Sequence, residues 1–260
     1  MPDETPDNRI KKSTSLIHIN NKKMSLLQRK LYNILLFNAC NQNLNDRDIF
    51  SVELSRLISI SGKVTKNLRH IRESIEQLQT TLVQWNLNGD IKESFKSVQL
   101  LGGVEVKDGI LYYEFSRMIK PYIFHPEIYS LIRINITNLF SSKYALALYE
   151  NCVRFKDVKT TGWKTIDEWR DLIGVPNDKL YASFANVNAR IIKPAVQQVN
   201  TLSDISIKVE FKREGKGKTV THIKFDIDKR KDFVPMSPQP PTDYLSITKK
   251  WMTKIKGGEK

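Results

Sequence analysis

The chain has 260 residues, of which 40% are hydrophobic and 27% charged, and its formal net charge is +14. This length favours one or two domains with real cores, and no apolar run is long enough to span a bilayer. Residues 1–20 carry charges in place of a signal-peptide centre, so we expect a cytoplasmic protein. The basic excess favours polyanions as partners, although membrane surfaces and acidic proteins would also be attracted.

Sequence signals for an enzyme or a metal site are weak. Cys40 and Cys152 each lie in an apolar helical pattern without a CxxC partner, which predicts reduced core residues. The four histidines form no HxH or HExxH pair, so no metal ligand set and no cofactor are predicted. Residues 217–219 read GKT, but Lys212 stands where a phosphate-binding loop has its first glycine. We therefore predict a protein without catalytic residues.

The first half of the chain alternates helical and strand patterns. Residues 25–40 predict an amphipathic helix, and a short strand and short helix follow before Gly62. Residues 65–81 predict a further helix, whose apolar stripe is Leu68, Ile71, Ile75, Leu78 and Leu82. Three alternating segments after it predict strands, with Gly102–Gly103 and Asp108–Gly109 as turns.

The second half has the order of elements that is typical of a winged helix. A helix is predicted for KYALALYENCVRF, and a short helix follows between a Thr165–Glu168 capping box and Gly174. A longer polar-faced helix comes next, and residues 205–227 predict a basic hairpin.

A weak internal repeat relates the two halves. Glu53-Leu54-x-x-Leu57-Ile58 corresponds to Glu168-Trp169-x-x-Leu172-Ile173, and in both halves helices and then strands surround the motif. We therefore predict an α+β fold of two tandem winged-helix domains related by an internal pseudo-repeat. The expected organisation is a flexible arm over 1–20, a first domain over 21–135, a second domain over 136–235, and a Pro-rich linker with a basic tail over 236–260.

The exposed stripe of the second domain's third helix is the strongest candidate for reading DNA. Arginine can form two hydrogen bonds with guanine, and asparagine or glutamine can do so with adenine. The predicted base-reading residues are Ser183, Asn186, Arg190, Lys193 and Gln197. The alternative is that these polar groups only solvate the outside of a helix. Pro194 predicts a kink or a division into two short helices.

The hairpin that follows this helix supplies candidate phosphate contacts. The predicted residues are Lys212, Arg213, Lys216, Lys218 and Lys224. The alternative is a solvated hairpin whose lysines protect an edge strand from aggregation. In the first domain the weaker candidates are Lys63, Lys66, Arg69 and His70, because Glu73 shares their stripe and would repel phosphate. We expect that domain to bind phosphates, to pair with another subunit, or to switch between the two.

From residue 13 to residue 234 the chain resembles the initiator (Rep) proteins of iteron-containing bacterial plasmids, the kind with tandem winged helices. KYALALYENCVRFKD, GWKTIDEWRDLIGVP and IIKPAVQQVNTLSDISIKVEF carry the resemblance, together with the closing THIKFDI. The resemblance implies the base-reading helix over 182–199 and the wing over 208–225. Asn186 and Asn188 stand where relatives often have Lys or Arg, so a preferred DNA sequence cannot be transferred.

The same resemblance implies a function and a set of partners. It implies binding of double-stranded origin repeats as a monomer in the bacterial cytoplasm, opening of adjacent AT-rich DNA, and recruitment of the host initiator and replicative helicase. It also implies plasmid copy control, with dimers that form through the first winged helix and either repress the protein's own promoter or pair origins. The alternatives are a winged-helix transcriptional regulator that never opens DNA, a rolling-circle nuclease, which would need a His pair, and a basic structural protein.

Overall fold

A computed structural model describes residues 9–17, 24–42, 48–60, 68–86, 95–215, 219–230 and 233, and only the backbone of residues 59, 60, 84–86 and 95. The chain divides into two compact units. The first unit is Leu27–His125, and the second unit joins Met1–Leu26 to Pro126–Met236. The boundary that the sequence predicted near residue 135 lies inside the second unit. None of the helices in these described ranges is both long enough and apolar enough to cross a membrane.

The secondary structure elements of the described residues follow in chain order. They are β1 (Arg9–Ser13), α1 (Thr14–Ile17), α2 (Leu26–Asn41), β2 (Ile49–Glu53), α3 (Leu54–Ile60), α4 (Leu68–Thr80), β3 (Leu82–Asn86), β4 (Phe95–Gln99), β5 (Val104–Lys107), β6 (Ile110–Glu114), α5 (Lys120–Phe124), β7 (Tyr129–Arg133), α6 (Ile134–Leu139), α7 (Lys143–Val153), β8 (Lys164–Thr165), α8 (Ile166–Ile173), a 3-10 turn (Lys179–Tyr181), α9 (Phe184–Val187), a π-turn (Asn188–Ile192), α10 (Lys193–Leu202), β9 (Ile205–Glu214) and β10 (Thr219–Lys229).

In the first unit, helices pack against two small antiparallel sheets. One sheet has the order β2-β6-β5, and the other pairs β3 with β4. The predicted turn between β5 and β6 is present, with Asp108 and Gly109 both at positive φ. The predicted break at Gly102–Gly103 is also present, because β4 ends at Gln99, β5 begins at Val104, and the two strands belong to different sheets. Leu82 was predicted on the helical stripe, but it begins β3 and is 44% exposed.

The core of the first unit is aromatic. Phe50, Tyr113 and Phe115 pack together, with ring centroids 5.7 to 5.9 Å apart. The Tyr113 hydroxyl donates to the Leu35 carbonyl at 2.8 Å and accepts from the Asn38 amide at 2.9 Å. The predicted amphipathic helix is present as α2, but every residue from Leu27 to Ala39 is buried, so this helix has no solvated face over that length.

The second unit begins with an N-terminal strand. Residues 9–17 were expected within a flexible arm, but Arg9–Ser13 pair antiparallel with Tyr129–Arg133 as β1 and β7. Ile10 and Lys12 are buried, and the Lys12 ammonium contacts both carboxylate oxygens of Glu150 on α7, at 3.1 and 3.0 Å. The difference is explained by long-range contacts. This segment is polar in composition, but it is ordered by pairing with β7 and by the ion pair with Glu150.

The remainder of the second unit is the predicted helix–helix–helix–hairpin. Thr165 and Glu168 form the capping box at the start of α8, and Gly174 ends it in the left-handed conformation with φ 82°. The indole of Trp169 donates to the Ile223 carbonyl at 3.0 Å, and its ring packs edge-on against Phe225 at 4.7 Å. These contacts attach α8 to the three-stranded sheet of order β8-β10-β9.

Candidate nucleic-acid interface

The segment that corresponds to the predicted base-reading helix is divided into α9, the π-turn and α10. Pro194 lies in the first turn of α10, directly after the π-turn. Proline has no backbone N–H to donate to the Arg190 carbonyl, which explains why the regular α-helical bonding is interrupted at this point. The interruption that the sequence predicted at Pro194 is present.

The buried face of this segment is formed by apolar residues that recur at helical spacing. Val187, Ile191, Ala195 and Val199 are at most 2% exposed. Because the π-turn adds a residue to one turn, Ile192 is buried as well as Ile191. Phe184 lies at the start of the segment and packs edge-on against Phe211 of the hairpin, with ring centroids 5.5 Å apart.

The structure brings three of the five predicted base-reading residues together on the opposite face. Arg190, Lys193 and Gln197 are all exposed. Within the part of the chain that the structure describes, neither Arg190 nor Lys193 forms an ion pair with an acidic side chain. The hydrogen-bonding groups of Arg190, Lys193 and Gln197 therefore face solvent, while the opposite face of the same helix is buried in the second unit.

The remaining two predicted residues are already engaged. The Ser183 hydroxyl is the N-cap of α9 and accepts from the Ala185 amide at 3.2 Å. The Asn186 side chain is half-buried, and its Nδ2 donates to the Leu180 carbonyl at 2.9 Å. Both side chains thus hold local backbone, which the helical spacing alone did not predict.

Sequence reasoning also missed exposed residues at the start of this surface. Ala185 and Ala189 are exposed, although alanine gives no polar signal in a sequence. Lys179 and Leu180 are exposed in the 3-10 turn before α9, and Leu180 is 44% exposed. One sequence signal for this turn was available, because Asp178 is a favourable N-cap residue; its Oδ1 accepts from the Tyr181 amide at 3.1 Å.

The C-terminal end of the segment is fastened to the hairpin. The Asn200 side chain accepts from the Ile207 amide at 2.6 Å and donates to the Ile207 carbonyl at 3.0 Å. The Arg230 guanidinium donates to the carbonyls of Asn200 and Ser203, at 2.7 and 3.0 Å. These bonds satisfy carbonyls at the helix end and place a positive charge there, which is favourable for the helix dipole.

The predicted wing is a long antiparallel hairpin formed by β9 and β10. Its register shifts between Val220 and His222, so Thr221 forms a bulge near the tip. Gly215 begins the turn with φ 77°, a conformation that favours glycine. Lys216 and Lys218 were predicted to contact phosphates and lie outside the described residues.

The described basic residues of the wing differ in their electrostatic environment. Lys224 lies between Glu210 at 3.0 Å and Asp226 at 3.2 Å, and its ammonium also lies over the exposed ring of Trp163. The hydrogen bonds that Lys224 donates to Glu210 and then to Asp226 raise its pKa. Its charge is therefore largely compensated within the protein.

Lys212 and Arg213 are both exposed near the tip of the wing. Lys212 pairs with Glu214 at 2.8 Å, and both of these side chains are about half exposed. An ion pair at this level of exposure contributes about 0 to 1 kcal/mol and is easily exchanged for another anion. Lys212 and Arg213 are therefore the described wing residues that are best placed for phosphate.

The candidates in the first unit lie at the start of α4. Arg69 is 85% exposed and pairs with Glu73 at 2.9 Å, and His70 is also exposed. The acid that made this stripe a weaker candidate is thus in direct contact with its arginine. Lys63 and Lys66 lie outside the described residues.

The described residues contain no group of three or more His, Cys, Asp or Glu side chains that could hold a metal ion. Cys152 is buried and Cys40 half-buried, and neither forms a disulfide. Burial raises the pKa of the Cys40 thiol to about 11 and that of Cys152 further. Both thiols are therefore protonated at neutral pH, which makes them poor nucleophiles and poor metal ligands.

Comparison with known proteins places the chain in a family, and the first of its two matches extends beyond Leu27–His125 into the second unit. The model of the first winged helix (WH1) of initiator replication proteins matches residues 9–153, and the model of the second (WH2) of initiator Rep proteins matches residues 165–227. A replication initiation protein of Escherichia coli is 22% identical over 170 residues, which are 63% of this chain and 51% of that protein. The chain thus spans about half the length of this curated relative.

A solved structure shows the same fold. The crystal structure of Pi initiator protein in complex with iteron DNA aligns over 87% of this chain and 99% of its own, with a TM-score of 0.67 and 18% sequence identity. The predicted α+β fold of tandem winged helices is thus confirmed. With both of its winged-helix domains matched, the chain belongs to the family of Rep replication initiator proteins.

Proposed function

We propose that this protein is a non-enzymatic initiator of plasmid replication in the bacterial cytoplasm, and that it binds repeated double-stranded sites in its origin. The observation that carries the proposal is the exposed surface of Arg190, Lys193 and Gln197, which lies on a helix buried on its other side and fastened to a basic hairpin. A helix of this kind fits the major groove, where arginine and glutamine can each form two hydrogen bonds with one base.

The roles of individual residues follow from their environments. Arg190, Lys193 and Gln197 read bases, and Lys212 and Arg213 bind phosphates together with Lys216 and Lys218. Lys224 contributes less, because Glu210 and Asp226 already balance its charge. In the first unit, Arg69 and His70, with Lys63 and Lys66, make weaker phosphate contacts, since binding there must displace Glu73 from Arg69.

The later steps of initiation are part of the same proposal. Several protomers on adjacent sites bend and strain the DNA between them, and the added contacts offset the deformation energy. Opening of an AT-rich segment, recruitment of the host initiator and replicative helicase, and promoter repression by a dimer then follow. Membership of the Rep family supports these steps.

Footprinting on the DNA that flanks the protein's own gene tests the proposal. Regular protections beside a segment whose thymines react with permanganate are expected for an initiator. Protection of a single promoter palindrome without permanganate reactivity would instead support a winged-helix transcriptional regulator. No discrete protection at any salt concentration would contradict sequence-specific binding altogether.

Two substitutions at one position separate base reading from general attraction. Arg190→Ala is expected to weaken binding to the protected site by roughly tenfold to a hundredfold, and binding to unrelated DNA far less. Arg190→Lys keeps the charge but cannot form two parallel hydrogen bonds with one base. It should therefore bind unrelated DNA as well as the wild-type protein does, without recovering the preference for the protected site. Equal losses on both kinds of DNA would contradict base reading by Arg190.

A further inference from the structure

The 3-10 turn Lys179–Tyr181 is held by two side-chain hydrogen bonds. Asp178 Oδ1 accepts from the Tyr181 amide at 3.1 Å, and Asn186 Nδ2 donates to the Leu180 carbonyl at 2.9 Å. Both bonds lie in exposed surroundings, where water could satisfy the same backbone groups. They therefore act to fix the conformation of the turn rather than to satisfy buried polar groups.

The turn also lies near the start of α7 in the second unit. Tyr144 lies near the start of α7, where its neighbours include Tyr181 and Asp178. Burial raises the pKa of the Tyr144 hydroxyl, and the nearby Tyr181 and Asp178 raise it further. The turn is thus close enough to Tyr144 to influence its hydroxyl, and a hydrogen bond joins it to α9.

The turn exposes one cationic and one apolar side chain to solvent. Lys179 is exposed, and Leu180 is exposed by 44%. A single exposed leucine is common on protein surfaces and has no meaning by itself. This leucine, however, lies in a turn held by the Asp178 and Asn186 hydrogen bonds, immediately before the helix end that enters the major groove in winged-helix complexes.

We propose that Lys179–Tyr181 is a second DNA-contacting element, in which Lys179 binds a phosphate and Leu180 contacts the methyl group of a thymine. Asn186 is then a positioning residue that holds this turn and does not read a base. Thymine carries the one methyl group among the base edges of the major groove, so an apolar side chain at this edge selects it. The inference rests on the DNA binding proposed above.

The state of Asn186 supports this assignment. Recognition of adenine by asparagine uses the amide nitrogen and oxygen together on one base edge. The nitrogen of Asn186 is already bonded to the Leu180 carbonyl, and the residue is half-buried. Gln197 carries the same side-chain amide group as Asn186 but is exposed on α10, so it keeps its proposed role in reading a base.

Fluorescence anisotropy with the footprinted site tests the turn. Each thymine in turn is replaced by deoxyuridine, which removes only the methyl group. At one position the wild-type protein is expected to lose about fourfold in affinity, the value for burying a single methyl. Leu180→Ala should bind the thymine and uracil sites equally. Lys179→Ala should lower the log-log salt slope by about 1.

Asn186→Ala separates positioning from reading. A positioning role predicts that Asn186→Ala loses the same thymine preference and adds little to Leu180→Ala in the double variant, because both act through one turn. The control variant Gln197→Ala should keep the thymine preference and lose discrimination at another base pair. Melting temperatures by circular dichroism verify folding, and Leu180→Ala alone tests the turn if Asn186→Ala melts early.

Several results would overturn the inference. They are a wild-type protein that is indifferent to every uracil replacement, or an Asn186→Ala variant that keeps the thymine preference and loses discrimination at one base pair. An unchanged salt slope for Lys179→Ala would remove the phosphate contact. Failure of the proposed function is distinguishable, since the wild-type protein would then show no preference for the site over unrelated DNA.

Discussion

Replacement of Lys12 by methionine is expected to destabilise the second unit strongly. The Lys12 side chain is 2% exposed and that of Glu150 is 0% exposed, and the ammonium contacts both carboxylate oxygens at 3.0 to 3.1 Å. Methionine has a similar volume but no charge, so Glu150 would lose this ammonium while it remains buried. Loss of one partner of a buried ion pair costs about 3 to 5 kcal/mol.

The same β-strand offers a matched control. Lys11 is exposed, and its ammonium lies 5.1 Å from the ring centroid of Tyr129. Lys11→Met removes the same charge from the chain without leaving a buried carboxylate, so we expect a change of about 0.5 kcal/mol or less. The double variant Lys12→Met/Glu150→Met should recover most of the loss, because apolar pairs of similar volume replace buried ion pairs well.

Urea denaturation gives the free energy of unfolding of each variant, and hydrogen exchange of the α7 amides reports the second unit specifically. Lys12→Met is expected to shift the midpoint to lower urea and to speed exchange along α7. Equal stability of Lys12→Met and Lys11→Met would refute the reasoning, since it would mean that β1 does not depend on this ion pair.

Three further predictions concern α8 and the wing. Thr165→Ala removes the capping box and should cost about 1 kcal/mol in thermal unfolding. Hydrogen bonds from the Thr165 amide and then its hydroxyl lower the pKa of Glu168, so the stability they contribute is present above the ordinary glutamate pKa and lost as pH falls through the lowered value. Gly174→Ala places a side chain at φ 82° and should cost about 1 to 2 kcal/mol by the same measurement. Arg213→Ala should lower the log-log salt slope of DNA binding by about 1, whereas Lys224→Ala should leave it nearly unchanged.

Each of these has a contradicting result. A Thr165→Ala protein with the same acid dependence as wild type would show that the Thr165 hydroxyl does not lower the pKa of Glu168, since alanine keeps the backbone amide that also donates to this carboxylate. Wild-type stability of Gly174→Ala would mean that α8 ends in another conformation in solution. Equal salt slopes for Arg213→Ala and Lys224→Ala would show that the acids beside Lys224 do not compensate its charge.

Features that depend on residues close together in the sequence were predictable. The capping box at Thr165, the left-handed stop at Gly174 and the division at Pro194 each follow from the chemistry of a few neighbouring residues. The buried face of the segment from α9 to α10 was also predictable, because its apolar residues recur at helical spacing. Local signals therefore located the second winged helix.

Features that depend on distant contacts were not predictable. The polar segment Arg9–Ser13 becomes a β-strand only because β7 pairs with it and Glu150 forms an ion pair with Lys12. The engagement of Asn186 depends on the path of the turn before α9, and the neutralisation of Lys224 depends on the strand register that brings Glu210 beside it. Helical spacing and residue type do not contain this information.

The pairing of β1 with β7 also has a consequence for synthesis of the protein. The ribosome makes β1 first, but Glu150 follows Lys12 by 138 residues. At about 5 to 20 residues per second, roughly 7 to 28 s pass between the two, and the whole first unit is made in that interval. The Lys12 side chain must therefore remain without Glu150 while Leu27–His125 is synthesised, and the second unit cannot form its buried ion pair until that whole segment has been made.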